Sequence, residues 1–219
     1  MRSMTVKSKI LKTETISLDP DLLIAEGAYC QCYQHPENLD QCVKIPTENV
    51  KAQKRFNADF AYYRLLHRKE TPMTHIADHL GRCETNLGPG HLYERAFDYD
   101  SQTSKTLKYY LEENREVIPD FTAQLIILRD FLITNLIIVN DLHGKNILVQ
   151  RKTAEEARLV MVDGVGDCVF FTLPNLIPSI RLGKITRRWN RFICRLEVKY
   201  PDFKDDLLDA KINPAASRS

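Results

Sequence analysis

Asn140-Asp141-Leu142-His143-Gly144-Lys145-Asn146-Ile147-Leu148-Val149-Gln150 is the stretch on which the reading of this chain turns. It sets an acid, Asp141, and an amide, Asn146, five residues apart on a loop that runs into a short apolar strand. Seventeen residues past Asn146, the apolar run Arg158-Leu-Val-Met-Val162 stops on Asp163 and the turn Gly164-Val-Gly166-Asp167. Phosphoryl transfer requires such a set: one carboxylate orients and deprotonates a hydroxyl, and further oxygens hold magnesium against phosphates. Magnesium is a hard cation that favours carboxylate and amide oxygens, which Asn146 and Asp163 would offer.

Working outward, Leu22–Gly27 runs into Cys30–Tyr33, and Gln41–Ile45 follows a turn at His35-Pro36-Glu37-Asn38. Short runs between turn residues predict a three-stranded antiparallel sheet. Phe56, Phe60, Tyr63 and Leu66 recur at spacings of four and three, which predicts a helix over 48–69. Arg82–Asn86, Leu87–Gly90 and His91–Glu94 read as strand, turn and strand. Leu107, Tyr110 and Leu111 suggest a short helix, and Phe121–Val139 a longer one buried on most faces. After Pro174, Pro178 and Gly183, the chain predicts a basic amphipathic helix over Ile185–Val198. Residues 1–17 read as a loose arm or first strand, and 201–219 as a frayed polar end. The boundary falls in Ala96–Ser104. It divides a sheet-rich half with one helix, 1–96, from a helical half, 97–219.

The pattern Asp141-Leu-His-x-x-Asn146-Ile-Leu resembles the catalytic loop of the small-molecule branch of the protein-kinase-like superfamily. The resemblance implies an α+β, two-lobed protein-kinase-like fold, with an antiparallel-sheet N-lobe and a shortened helical C-lobe. It implies ATP and Mg2+ between the lobes, with Asp141 as the catalytic base. Asn146 and Asp163 would be magnesium ligands, and Asp167 a further ligand or a solvated turn acid. Lys44 in Cys42-Val-Lys44-Ile45 would contact the α- and β-phosphates, and Asp59 stands where the family carries the glutamate paired with that lysine. Gly27 lies in the phosphate-covering turn. Tyr93-Glu94-Arg95-Ala96 would be the hinge, whose backbone meets adenine at Glu94 and Ala96. A closer likeness joins Gly27…Cys32-Tyr33-Gln-His35-Pro36…Cys42-Val-Lys44-Ile, Tyr62-Tyr63, Glu84-Thr85-Asn86, Asn146-Ile-Leu…Asp163…Gly166 and Arg187-Arg-Trp189…Arg191-Phe192. Over residues 22–195 this order resembles the YrbL family, described as PhoP regulatory network proteins. The implied function is a kinase-like protein linked to a bacterial PhoP-type network; we expect a phosphotransferase acting on a non-protein hydroxyl, on an acceptor, small molecule or saccharide, that the resemblance does not identify. The alternative is a pseudokinase serving as a regulatory binding module.

The departures from the pattern bear on that choice. One glycine stands where protein kinases use three, which weakens backbone cradling of phosphates. Asp59 is a methylene shorter than glutamate. Fifty-six residues follow Asp163, too few for a long activation loop and a peptide-docking platform.

The 219 residues are 43% apolar and 27% charged, the composition of a globular protein, with 31 Lys and Arg against 29 Asp and Glu. This near balance gives no reason to expect nucleic acid as a partner. It conceals residues 174–196, where Arg181, Lys184, Arg187, Arg188, Arg191 and Arg195 meet no acid. Arg187, Arg191 and Arg195 line one side of the expected helix 185–198. Either its apolar face docks and the arginines are solvated, or it offers a surface to an anionic membrane or an acidic protein. No secretory signal is evident, so the six cysteines are expected reduced and the protein cytoplasmic. Cys30, Cys32 and Cys42 lack a second ligand pair at zinc spacing and read as half-buried thiols. His143 reads as a brace of its loop.

Overall fold

The computed structural model describes residues 15–113, 120–166 and 177–212. Near the N-terminus, Leu23–Glu26 (β1), Cys30–Gln34 (β2) and Gln41–Pro46 (β3) form the expected antiparallel set. His79–Thr85 (β4) and Gly88–Glu94 (β5) add to it, giving a five-stranded sheet in the order β1-β2-β3-β5-β4. The central strand β3 is covered on both faces. Val43 and Ile45 pack with Leu18, Tyr33 and Cys83 on one side, while Cys42 joins the main core on the other. That alternation is the period of two that a strand imposes.

Val50–Arg68 (α1) follows β3. Asn49 caps it, its side chain accepting from the Lys51 N–H at 2.8 Å, and His67 and Arg68 complement the dipole at its end. Tyr62, Tyr63 and Leu66 are buried, whereas Phe56 and Phe60 lie against His79 and His91 of the sheet.

A second sheet of Lys105–Thr106 (β6), Ile147–Arg151 (β7) and Ala157–Met161 (β8) is also antiparallel. The chain before β4 ties the sheets together. The Met161 N–H donates to His75 O at 2.9 Å and the Ala77 N–H to Met161 O at 2.8 Å. Leu107–Glu113 (α2) and Phe121–Thr134 (α3) pack on this second sheet, and Pro178–Lys199 (α4) and Lys204–Leu208 (α5) pack on α3. No helix among the described residues is long and apolar enough to cross a membrane.

Three expectations change. The helix read over Phe121–Val139 stops at Thr134: Asn135 folds its amide back onto Phe131 O at 2.9 Å, and Leu136 takes a left-handed φ of 49°. Ile137, Ile138 and Val139 are still buried, but as non-helical chain. The basic helix is longer than 185–198, beginning at Pro178, whose fixed φ suits a first helical turn. The tail is not frayed through 201–212. Leu207 and Ala210 are fully buried, and Trp189 Nε1 donates to Ala210 O at 2.7 Å.

Candidate functional site

Lys44 and Asp163 approach each other from the two sheets. Lys44 leaves β3 on the face it shares with Cys42, opposite Cys32 of β2. Its Nζ reaches across to donate to Val162 O at 2.6 Å, next to Asp163, and stands 4.7 Å from the centre of the Tyr93 ring. Burial acts to lower the Lys44 pKa and the Asp163 carboxylate acts to raise it; the balance lies well above the ordinary lysine value. Burial likewise opposes the charge on Asp163. Lys44 and the Gly164 N–H, which donates to Oδ1 at 2.8 Å, hold this carboxyl below its ordinary value. Each charge therefore sustains the other in a half-buried site.

The Asp141 loop is bound to the Asp163 turn along its length. The Asn140 N–H donates to Gly164 O at 2.6 Å, the Gly166 N–H to Ile138 O at 2.9 Å, and Val139 bridges Val165. Gly164 has φ +75°, and a Cβ there would meet Asp141 O at 2.9 Å, so glycine is what lets the two segments touch. Gly166, at φ +119°, lies against the Tyr62 side chain. Asn146 is buried and donates through Nδ2 to Asp141 O at 2.9 Å and to Asp141 Oδ2 at 3.0 Å. Its own carbonyl accepts the Val162 N–H at 3.0 Å. An unbroken chain of contacts thus runs from Lys44 through Val162 and Asn146 to Asp141. His143 braces the loop: its Nδ1 accepts the Lys145 N–H at 3.3 Å, capping the 3-10 turn Gly144–Asn146.

Asn146 and Asp163 are the residues whose oxygens would suit a magnesium ion. With its Nδ2 committed to Asp141, the Asn146 amide turns its oxygen elsewhere, and Asp163 keeps a second oxygen besides the one accepting from Gly164. Two protein oxygens, with phosphate and water completing the shell, are a usual complement for this ion. Asp167 lies outside the described residues.

The other expected residues are placed less closely. Lys44 forms no ion pair with Asp59 among the described contacts. Burial first, and then the charge of Asp163, push the Asp59 pKa up to about 7, against the pull of Arg55 and Lys44. A carboxyl near half-protonation is a weak partner for an ammonium already bonded to Val162 O. Gly27 is exposed and closes the β1–β2 turn by donating to Cys30 O at 2.9 Å. Glu94 is exposed with its N–H bonded to Asp78 O, and Ala96 is buried with its carbonyl bonded to the Ser104 N–H. Both border a cleft of about 230 Å³, its open mouth included, with Met73, Ile76, Gln150 and Arg158; Lys44 and Asp163 are not among its walls.

Sequence reasoning missed several supports. The Tyr62 hydroxyl accepts the Ile138 N–H at 2.9 Å, linking α1 to the Asp141 loop. The Arg55 guanidinium stands 4.9 Å from the Tyr29 ring in the β1–β2 turn, on the side of α1 that carries Asp59 one turn later. The expected division of the basic helix also changes. Arg187, Arg191 and Arg195 are all exposed, but Arg195, together with Arg181 and Arg188, donates to carbonyls of the segment 136–142. The seven-residue spacing of 181, 188 and 195 was the available signal.

A family model described as PhoP regulatory network protein YrbL matches residues 16–197. Two relatives, each named uncharacterized protein YrbL, come from Escherichia coli (strain K12) and Shigella flexneri. Each is 30% identical over 183 residues, covering 82% of this chain and 87% of the relative.

Proposed function

The chain belongs to the YrbL family of PhoP regulatory network proteins, and on that premise we propose that it is a kinase-like, ATP- and magnesium-binding phosphotransferase. Its acceptor would be a non-protein hydroxyl, on a small molecule or a saccharide. The observation that carries this reading is the contact chain from Lys44 past Asp163 to Asn146 and Asp141. In this reading the two sheets and their helices are the two lobes of a kinase-like fold. Lys44 steadies the α- and β-phosphates. Asn146 and Asp163 present the oxygens for magnesium, which when bound would shield the charge of the phosphates. Asp141 orients the acceptor hydroxyl and accepts its proton as the oxygen attacks the γ-phosphate in line. The bond formed is acceptor oxygen to phosphorus, and the bond broken is phosphorus to the ADP oxygen.

One observation favours a second reading, a pseudokinase that binds without transferring. Lys44 is bonded to Val162 O, and Asp59 is too weakly charged to hold it in an ion pair. Thermal shift with ATP and magnesium, followed by turnover of labelled ATP, separates the two. Phosphotransfer predicts a rise in melting temperature that Lys44→Met and Asp163→Asn abolish. It also predicts that Asp141→Asn retains binding and loses turnover. Equal nucleotide affinity in the wild type, Lys44→Met and Asp163→Asn overturns both readings, whereas binding with no turnover by the wild type leaves the pseudokinase.

A further inference from the structure

Three arginines of α4 meet three carbonyls of the Asp141 loop in register. Arg181 Nη2 donates to Leu136 O, Arg188 Nη1 to Val139 O at 3.1 Å, and Arg195 Nη2 to Leu142 O at 2.5 Å. The donors are seven residues apart and the acceptors three. Seven helical residues rise about 10.5 Å, and three extended residues rise about 10 Å. The two repeats therefore advance together, and the segment runs alongside the helix in the same direction. Seven residues also return to nearly the same helical face, with a drift of about 20°. The arginines form a stripe along the edge of the apolar face that buries Ile185, Trp189, Phe192, Ile193 and Leu196.

The chemistry explains why arginine stands there. The chain between α3 and β7 meets Val165 through the Val139–Val165 bridge and β6 through its turn Gly144–Asn146, and neither contact takes up the carbonyls of Leu136, Val139 and Leu142 that face α4. Carbonyls turned from it toward a helix need side-chain donors, because the helix's own N–H groups are spent within it. A guanidinium offers a planar fork of donors on a long stem, and a bond from a charged donor is stronger than a neutral one. The first contact falls on Leu136, whose left-handed φ of 49° is an unfavourable conformation for a leucine and needs outside support. Arg181 is itself buried, 5% exposed, which suits a cation engaged by carbonyl oxygens.

We propose that this stripe is the positioning device of the Asp141 loop. Arg181, Arg188 and Arg195 set where Asp141 and Asn146 stand relative to Asp163, without touching nucleotide or acceptor. The consequence for turnover rests on the phosphotransferase reading; the mechanical role does not.

Amide hydrogen exchange and kinetics on Arg195→Met, Arg195→Lys and Arg191→Met test it; 195 is an exposed position, and an unchanged far-ultraviolet circular dichroism spectrum is the expected sign that each variant folds. Losing one charged hydrogen bond should speed exchange of amides 139–146 in Arg195→Met by about tenfold or more, while β2 and β3 keep wild-type rates. The kcat should fall with the KM for ATP unchanged, Arg195→Lys should recover part of both effects, and Arg191→Met should match the wild type. Unchanged loop exchange in Arg195→Met overturns the proposal, and so does a rise spread evenly over the whole chain. A wild type that neither binds nor turns over ATP overturns the phosphotransferase reading alone, because the exchange measurement needs no nucleotide.

Discussion

Gly164 shows how much of the site rests on one absent side chain. Its φ of +75° is costly for any L-residue with a Cβ, and the added carbon would strike the Asp141 backbone. Gly164→Ala is expected to destabilise the protein by about 1–3 kcal/mol and to displace Asp141 from Asn146. Urea denaturation reads the first effect, and an unchanged midpoint would contradict it. At this scale the sequence was informative where a residue belongs to a short motif. Asp141, Asn146 and Asp163 stand out through their order and spacing together with the family resemblance; Asn146 bonds Asp141, and the turn after Asp163 lies against it. The bond from Lys44 to Val162 could not be read that way. It spans 118 positions and depends on how far one sheet stands from the other. Asp59 stands where the resemblance puts a partner for Lys44, and its shorter side chain already pointed to a loose pairing; what no local pattern carries is that burial, and then Asp163, push its pKa up to about 7.

Among the elements, α1 is held to the sheet by an aromatic layer with two histidines in it. The His79 and His91 rings lie 4.9 Å apart, and Phe56, Phe60, Tyr63 and Tyr93 pack around them. His79 Nε2 and His91 Nδ1 have no hydrogen-bond partner. Burial, with Arg82 and each other or His67 nearby, depresses their pKa values from 6.5 to about 4 for His79 and about 3 for His91; Asp78 pulls His79 the other way. Between pH 6.5 and 4 the unfolded chain takes up protons that the native rings refuse. Their contribution to stability is therefore full above pH 6.5 and declines as the pH falls, by up to about 1.4 kcal/mol per unit for each ring. His91→Phe should lose less stability than the wild type between about pH 7.5 and pH 5. Equal losses in urea midpoints would show that the rings do not carry this dependence. Helix boundaries were the least legible feature at this scale. The apolar run 121–139 continues past the end of α3 because the non-helical segment 137–139 is as buried as the helix. Hydrophobic periodicity cannot separate two buried conformations.

Over the whole molecule, one cluster of buried residues runs from Cys42 of β3 through Tyr62 and Leu66 of α1 to the second sheet, Trp189 and Leu207. The two sheets thus share this core, while the other face of the first sheet closes a smaller one around Val43 and Ile45. A continuous core predicts a single cooperative transition. Fluorescence of the sole tryptophan, Trp189, fully buried among α4 residues, should report the same midpoint as far-ultraviolet circular dichroism. Two separated transitions would show instead that the halves on either side of Ala96–Ser104 unfold independently.

The order of residues in the motif loop, the short runs of β2 and β3 between turn residues, the helical spacing of α1 and the excess of positive charge in 174–196 were all written in local patterns. Each depends on residues within a few turns of one another. The purpose of that positive charge was not. Whether an arginine faces solvent or a carbonyl depends on which segment lies beside the helix. Here a stretch some 45 residues earlier in the chain presents a carbonyl every third residue to an arginine every seventh. That match of two rises exists only once α4 packs against the loop, so a near-neutral sequence with a basic helix becomes a molecule in which three of the helix's arginines are bonded to the Asp141 loop.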